Sequence, residues 1–233
     1  MPHIFLDPNL YGIRSLLDYR KETAKPLMDL AEVLLRGDSP LTRGERELIA
    51  AYVSEQNDCE YCAAAHGACA AVLMPEGTPL VDQVRKDPLQ APIDDRLRAL
   101  LAIAGSVAQA GWAVTEEQIA AARAAGAEDR DIHDTVLVAA AFCMYNRYVD
   151  GLATLTPHDP AAYALVADRL VNQGYAIPRQ APAGVDGAAA AAVRTAAADA
   201  ATAAAASAAS AAAAEAEENT PRRGFFARLL GSK

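Results

Sequence analysis

Apolar side chains recur at helical spacing through most of the chain, and this pattern constrains the fold more than any other feature of the sequence. Leucines stand three or four positions apart within residues 23–36, as the buried face of a helix requires, and residues 93–107 repeat the pattern. No segment alternates apolar and polar residues as a half-buried strand does, and the sequence has no glycine-rich phosphate loop. The sequence therefore predicts an all-α domain.

Capping residues predict where two consecutive helices begin. Thr42 and Glu45 have the spacing of a capping box, in which each side chain binds the backbone amide of the other residue, so a helix is expected to start there. Asn57 or Asp58 is then expected to cap a second helix, over residues 59–74. The chain should turn back between them, so that the two helices lie antiparallel.

The rest of the helical region is marked by prolines and by further capping residues. Pro79, Pro88 and Pro92 predict a connector without regular structure. Beyond the connector, threonine or aspartate can accept hydrogen bonds from the free amides of a helix N-terminus. Such starts are expected near residues 94, 115 and 129–131, and a short helix over residues 163–171.

Alanine dominates the C-terminal part of the chain and limits the size of the domain. Residues 188–214 are almost entirely alanine, which favours helix but supplies no large side chain to anchor a segment to a core. The chain is therefore divided into a helical redox domain (1–178), an Ala-rich linker that is flexible or partly helical (179–220), and a short basic amphipathic peptide (221–233).

Composition excludes several classes of function. The net charge of -9 argues against a nucleic-acid-binding protein, because phosphate binding requires a basic surface. The sequence has no uncharged apolar run of the length that spans a membrane, and its N-terminus lacks the basic and apolar regions of a secretory signal. We therefore expect a cytoplasmic protein. In that compartment a Cys-x-x-Cys pair is more often catalytic or metal-binding than a structural disulfide.

The motif with the most chemical information joins Glu47, Cys59, Cys62 and His66, with the spacing E-x11-C-x2-C-x3-H. The two cysteines lie one helical turn apart, close enough for a disulfide, and a helix N-terminus stabilises a thiolate. His66 is one turn further on the same face, and imidazole exchanges protons at neutral pH. A carboxylate on the preceding antiparallel helix would orient the histidine. The motif predicts a thiol redox site.

Two other interpretations of the motif stay open. The cysteines are two buried thiols, or Cys59, Cys62, His66 and Cys69 bind zinc. A single straight helix does not easily surround one ion with four ligands, and the sequence has no second Cys/His pair at metal-binding spacing, so no metal is predicted. Cys69 and Cys143 lie among alanine and apolar residues and are interpreted as small buried side chains.

The four motif residues, together with the surrounding residues 57–66, resemble the alkylhydroperoxidase AhpD-like branch of the carboxymuconolactone decarboxylase superfamily. Residues 134–152, which contain Phe142, Asn146-Arg147 and Asp150-Gly151-Leu152, resemble the closing helix of its peroxidase-related subgroup. The resemblance covers roughly residues 10–175. It implies an all-helical fold, a homo-oligomer of three or six subunits, and a peroxidase or disulfide reductase without a cofactor.

The resemblance also implies roles for the motif residues. Cys62 would attack a hydroperoxide, Cys59 would resolve the product, and a dithiol, thioredoxin-like or lipoyl reductant would regenerate the pair. Glu47 and His66 would form the proton relay. The chain departs from AhpD at Tyr61, where AhpD has a second histidine, and a phenol is a poor base at neutral pH. The helix dipole alone would instead make Cys59 the more acidic thiol.

Polar residues in the second half of the chain have two interpretations. One otherwise apolar helix carries three polar residues, Asn146, Arg147 and Asp150. In the first interpretation they line a pocket, for which Tyr61 is a further candidate. In the second they pair with residues of other helices or other subunits. His133 and His158 are expected to face solvent.

The terminal peptide has three interpretations. Its apolar residues would dock weakly into a groove, and an oligomer would multiply that affinity. Such peptides on Ala/Pro-rich linkers resemble those that direct enzymes into encapsulin or microcompartment shells, which would place the protein inside a compartment. Membrane contact is less favoured because the apolar face is short, and a tail without a partner is the third interpretation. The anchors would be Phe225, Phe226, Leu229 and Leu230.

Two other functions compete with the thiol enzyme. One is a catalytically weak redox sensor or oligomeric scaffold that the tail delivers to an assembly. The other is the lactone decarboxylase activity found elsewhere in the superfamily. The paired cysteines argue against the decarboxylase, because that chemistry has no need of a reversible disulfide.

Overall fold

The computed structural model describes residues 1–176, which form nine α-helices, one short 3-10 helix at Gly111–Ala113 and no strand. The all-α prediction is confirmed. The predicted linker (179–220) and terminal peptide (221–233) lie outside the described residues. The α-helices are α1 (Ile13–Tyr19), α2 (Lys21–Arg36), α3 (Arg43–Gln56), α4 (Glu60–Leu73), α5 (Gly77–Lys86), α6 (Asp95–Gln109), α7 (Glu116–Ala124), α8 (Asp129–Gly151) and α9 (Pro160–Gln173).

Side-chain caps begin several of these helices where the sequence predicts them. The Thr42 hydroxyl accepts a hydrogen bond from the Glu45 amide, and the Glu45 carboxylate accepts one from the Thr42 amide, which completes the capping box of α3. Asp94 caps α6 through the amide of Leu97, and Thr115 caps α7. Each cap satisfies an amide that the helix itself leaves free.

The predicted connector is wrong over most of its length, because residues Gly77–Lys86 form α5. Pro79 does not prevent this helix, since it lies in the first turn, where its missing amide hydrogen costs no helical bond. The apolar face of α5 supplies the stabilising contacts: Leu80, Val81 and Val84 are buried in the main core. The short helix α1 also has no counterpart in the sequence prediction.

Helix α3 is the centre of the domain. All its residues from Gly44 to Ser54 are buried, and it contacts α2, α4, α5, α6 and α8. A helix buried on all sides normally carries only apolar residues. This one carries Glu47 in its middle, so the burial of α3 fixes a carboxylate inside the protein.

The turn between α3 and α4 differs from its prediction. Asn57 and Asp58 do not cap α4 but end α3, in a Schellman motif with Asp58 in the left-handed conformation at φ 56°. The Cys59 amide donates to the Ser54 carbonyl at 2.9 Å, and the Asp58 amide donates to the Glu55 carbonyl at 3.0 Å. The motif reverses the chain within three residues, and Cys59 itself becomes the N-terminal cap residue of α4.

The Schellman turn generates a stability prediction. Left-handed backbone is strained for an L-residue, although aspartate tolerates it better than alanine does. We expect Asp58→Gly to preserve or raise the free energy of unfolding, and Asp58→Ala to lower it by about 1 kcal/mol relative to the glycine variant. Urea unfolding of both variants measures the difference. Equal stability of the two would contradict the turn geometry.

Candidate functional site

The two motif cysteines lie at the N-terminus of α4 and are both free thiols. Cys59 is the cap residue and Cys62 is three positions on, in the first turn. Neither is accessible: Cys59 is 0% exposed and Cys62 is 4% exposed. They belong to a small apolar cluster, separate from the main core, that also contains Leu16, Tyr61, Ala65, Val149 and Tyr163. The structure therefore brings the pair together in a largely apolar environment.

The two thiols are not equivalent. The pKa of Cys59 is raised well above its ordinary value, first by a hydrogen bond to Cys62 and then by burial. This contradicts the expectation that the helix dipole makes Cys59 the more acidic thiol, because Cys59 precedes the first turn rather than lying in it. A raised pKa keeps the proton on Cys59, so Cys59 is disfavoured as the attacking thiolate.

Glu47 and His66 form a direct pair across the α3–α4 interface. His66 Nδ1 donates to Glu47 Oε2 at 2.7 Å, so its tautomer leaves Nε2 available for proton exchange. The imidazole is 12% exposed and packs edge-on against Phe142, with ring centroids 4.5 Å apart. Within residues 1–176 no hydrogen bond joins His66 to either motif thiol. The carboxylate–histidine half of the predicted relay is thus assembled one helical turn beyond Cys62.

Two further residues complete the environment of Glu47. Arg36 Nη2, at the end of α2, lies 2.6 Å from Glu47 Oε1, and the hydroxyl of Tyr175 donates to the same oxygen at 2.7 Å. The Tyr175 hydroxyl is also 3.3 Å from His66 Nδ1. A buried carboxylate requires compensation of this kind, because an unpaired charge in a protein interior is strongly unfavourable.

The charge balance of this cluster holds Glu47 ionised. Complete burial raises the pKa of the Glu47 carboxyl. Interactions with His66, Arg36 and Tyr175 lower it by more than burial raises it, so the net pKa lies below the ordinary value. The pKa of Arg36 is raised, because the attraction of Glu47 outweighs the effect of burial. Glu47 is therefore an anion at neutral pH and orients its histidine neighbour.

Arg36 and Tyr175 are absent from the sequence prediction for physical reasons. Arg36 is the last residue of α2, where a basic side chain is common, and Tyr175 follows α9 at a distance of 128 positions from Glu47. No local spacing connects them to the motif. The sequence has no signal for either residue, because the need for a cationic partner arises only from the burial of Glu47 in the folded chain.

A polar pocket of about 350 Å³ opens between the end of α3 and the last turns of α8. Its lining includes Asn146 and Arg147, along with Asn57, Asp150 and Gly151. Asn146 is buried and connects the two helices, since it accepts from Asn57 Nδ2 at 2.9 Å and donates to Ser54 Oγ at 3.0 Å.

The Asp150 carboxylate links this pocket to the thiols. Burial raises the pKa of the Asp150 carboxyl, and the neighbouring Cys59 thiol partly offsets this rise. The pocket therefore lies next to the buried Cys59 thiol.

Tyr61 lies away from this pocket. It is buried, and burial raises its pKa to about 12. Its ring rests on the backbone of Gly12, where an added Cβ would lie 2.2 Å from the ring and where φ is +51°. Its other aromatic neighbour is Tyr163, at a centroid distance of 6.1 Å. Tyr61 therefore holds the N-terminal segment against the small apolar cluster that contains the two cysteines.

The remaining sequence candidates take ordinary positions. Cys69 is buried and Cys143 half-buried, and the side chains of His133 and His158 are exposed. In the described part of the chain, no three His, Cys, Asp or Glu side chains are grouped so that they could hold a metal ion. No helix there is long and apolar enough to cross a membrane.

Comparisons with known proteins identify the family of the chain. The sequence profile of the carboxymuconolactone decarboxylase family matches residues 21–72. A crystal structure from Silicibacter sp. TM1040, described as an uncharacterized peroxidase-related protein, is 30% identical, with 65% of this chain and 78% of that chain covered and a TM-score of 0.59. The chain belongs to the AhpD-like carboxymuconolactone decarboxylase superfamily.

A second AhpD-like structure supports the same assignment. The alkylhydroperoxidase AhpD core from Ralstonia eutropha JMP134, an uncharacterized peroxidase-related protein, is 29% identical, with 68% of this chain and 81% of that chain covered and a TM-score of 0.61. No curated protein matches the chain. The stretch shared with the family profile contains Arg36 and the whole motif, whereas Tyr175 and the pocket residues of α8 lie beyond it.

The Glu47 cluster generates a pH prediction. A carboxyl with a depressed folded-state pKa stabilises the protein above its ordinary value of 4.5, and this contribution is lost as the pH falls through the folded-state value. We expect Glu47→Gln to lower the free energy of unfolding at pH 7 by about 3–5 kcal/mol, because Arg36 loses its buried counter-ion. The difference from the wild type should shrink as the pH falls below 4.5.

Thermal or urea unfolding between neutral and acidic pH measures this difference. Glu55→Gln is the matched control, since Glu55 pairs with Arg85 at the partly exposed end of the same helix. If the free energy of unfolding lost in Glu47→Gln were the same at every pH, an ionised Glu47 in this cluster would be contradicted.

Proposed function

We propose that the protein is a thiol-dependent peroxidase or disulfide reductase of the alkylhydroperoxidase type. One observation carries the proposal: a cysteine pair at the start of α4 lies one turn before a histidine held by a fully buried carboxylate. A redox thiol needs a nearby group that takes up and returns its proton, and an oriented imidazole does both. The peroxidase-related descriptions of the two similar structures support the same activity.

The proposed cycle uses each motif residue in turn. The Cys62 thiolate attacks a hydroperoxide, which breaks the O–O bond, releases an alcohol and leaves a sulfenic acid. His66 holds the thiol proton and returns it to the leaving alkoxide. The Cys59 thiol then attacks the sulfenic sulfur, so that water leaves and a disulfide forms. A dithiol of the thioredoxin-like or lipoyl class reduces this disulfide by exchange and becomes a disulfide itself.

The pocket at the end of α8 is the route by which we propose that reactants reach the buried thiols. Asp150 lines the pocket and neighbours Cys59, so in this proposal a reductant that enters there meets Cys59 first. Its attack on Cys59 would release Cys62 as the thiolate, on the side where His66 can supply a proton.

Cysteine variants test the activity. We expect Cys59→Ser and Cys62→Ser each to abolish peroxide consumption supported by a dithiol, because neither variant can close the disulfide. Cys143→Ala is the matched control, a half-buried cysteine outside the motif, and it should retain the wild-type rate. Peroxide consumption is measured with dithiothreitol or dihydrolipoamide as reductant. A wild-type rate of peroxide consumption in either serine variant would refute the proposed cycle.

A second candidate function is favoured by the burial of both thiols. Buried cysteines in apolar surroundings react slowly, and such a pair suits a catalytically weak redox sensor or scaffold. Thiol titration before and after peroxide separates the two functions. The enzyme should lose two thiols per chain within seconds to minutes and recover them with dithiothreitol, and Cys59→Ser should lose none as disulfide. Slow loss without turnover would indicate the sensor, and no loss the scaffold.

Assembly and targeting extend the proposal. We propose a homo-oligomer of three or six chains, and a terminal peptide (221–233) that docks the enzyme to a protein shell as cargo. The charge reversal between the glutamates at 215–218 and the arginines at 222–228 supports a defined docking segment.

Deletion of residues 219–233 tests the docking. It should leave peroxide consumption unchanged and should abolish co-purification with a co-expressed shell protein, measured by size exclusion. Replacing the peptide by a Gly/Ser sequence of the same length is the control for chain length. Equal co-purification of the full and shortened chains would refute the targeting role.

A further inference from the structure

Tyr175 is a buried aromatic residue that the redox motif does not contain. It follows α9 directly, after a turn at Gly174, and it is 6% exposed. Its ring stacks parallel to the His66 imidazole, at a centroid distance of 6.0 Å and an angle of 9°, and the Arg36 guanidinium lies 4.9 Å from its centroid. Its hydroxyl binds Glu47 Oε1, as described above. The residue thus touches every charged group of the cluster.

The backbone that carries Tyr175 is held in place by a second carboxylate. Glu32 Oε2, on α2, accepts hydrogen bonds from the Tyr175 amide at 2.5 Å and from the Ala176 amide at 3.2 Å. Gly174 permits this approach: its φ is +77°, and an added Cβ would lie 2.5 Å from Glu32 Oε2. Residues 174–176, which we call the strap, are therefore fastened to α2 at a point where only glycine fits without strain.

The two carboxylate oxygens of Glu47 have different partners, and the strap supplies one of them. Among residues 1–176, Oε1 is bound by Arg36 and the Tyr175 hydroxyl, while Oε2 is bound only by His66. With its first oxygen fully occupied, the carboxylate cannot rotate away from the imidazole without breaking two charge-assisted bonds. We propose that Tyr175 is a positioning residue of the relay: together with Arg36 it holds Glu47 Oε1, and its hydrogen bond limits the negative charge that Oε2 presents to His66 Nδ1. This rests on the proposed function of that relay.

Loss of the Tyr175 hydroxyl should change the protonation of the Glu47–His66 pair in one direction only. The Tyr175 hydroxyl withdraws negative charge from Glu47, so its removal leaves more charge facing His66 and stabilises the imidazolium. The Glu47–His66 pair then holds its proton to higher pH. The other titratable groups that face the cluster are Arg36 on α2, Cys69 on α4 and Arg169 on α9, while α8 contributes the apolar Phe142. All three keep their side chains in the variant, and Tyr175 contributes to the pKa of each of them.

The experiment compares two tyrosines that each lose a buried phenol hydrogen bond. Tyr175→Phe removes the bond to Glu47 and keeps the ring, and Tyr145→Phe removes a 2.7 Å bond to the Leu27 carbonyl, outside the cluster. We expect Tyr175→Phe to shift the acidic limb of the kcat/KM profile upward by roughly 0.5–1 pH unit, with near-normal rates on the alkaline side. Tyr145→Phe should lower Tm by a similar amount without moving the profile. Coincident profiles for both variants and the wild type would overturn the proposal.

A second readout separates this inference from the proposed function. The pKa of His66, followed by NMR titration, should rise in Tyr175→Phe whether or not the protein consumes peroxide. A rise in a protein that shows no turnover would reject the peroxidase and keep the positioning role. An unchanged titration in an active enzyme would reject the positioning role alone.

The strap itself is tested by Gly174→Ala. Alanine at that position meets Glu32 and the left-handed backbone, so the variant should shift the pH profile in the same direction as Tyr175→Phe. Gly126→Ala is the matched control, since its backbone is also left-handed, at φ +93°, and no atom lies within 4 Å of an added Cβ there. A loss of Tm with an unmoved profile would show that the strap only stabilises the fold.

Discussion

The buried carboxylate of Glu47 is the interaction on which the rest of the site depends. It stands in the middle of α3, the helix that contacts most of the others, and it is 0% exposed. An uncompensated charge at that depth would cost a large part of the total stability of a typical domain. The protein meets it with a guanidinium from α2, an imidazole from α4 and a phenol from beyond α9. Four separate parts of the chain thus converge because one residue is ionised.

The same compensation gives the site its chemistry. Ion pairing and hydrogen bonding that stabilise Glu47 also fix the tautomer of His66 and leave Nε2 for proton exchange. The Schellman turn between α3 and α4 then sets where the thiols lie relative to that histidine. Because the turn uses Asp58 as its left-handed residue, Cys59 is pushed to the cap position and Cys62 into the first turn. The turn that reverses the chain therefore also gives the two thiols their different positions on α4.

Sequence reasoning was sufficient wherever a signal is local. Capping at Thr42 and Thr115 and the helical spacing of leucines predicted most helices, and the motif predicted that Glu47 and His66 meet. It failed where tertiary contacts override local preference. The connector containing Pro79 is helical because its apolar face is buried, and Asn57 and Asp58 serve the end of one helix rather than the start of the next. Tyr175 could not be predicted at all, since only the folded chain brings it to Glu47.

The position of Tyr175 bears on how this protein is dissected into fragments. Of the described helices, the last ends at Gln173, which is where an all-helical domain would ordinarily be considered complete. The hydrogen bonds from the Tyr175 and Ala176 amides to Glu32 lie beyond that point, as does the phenol that touches Glu47. A polypeptide cut at the end of α9 would keep all nine described helices and every motif residue, yet it would leave a cavity beside the only buried carboxylate–histidine pair among the described residues. The working boundary of the domain is therefore defined by electrostatics rather than by secondary structure.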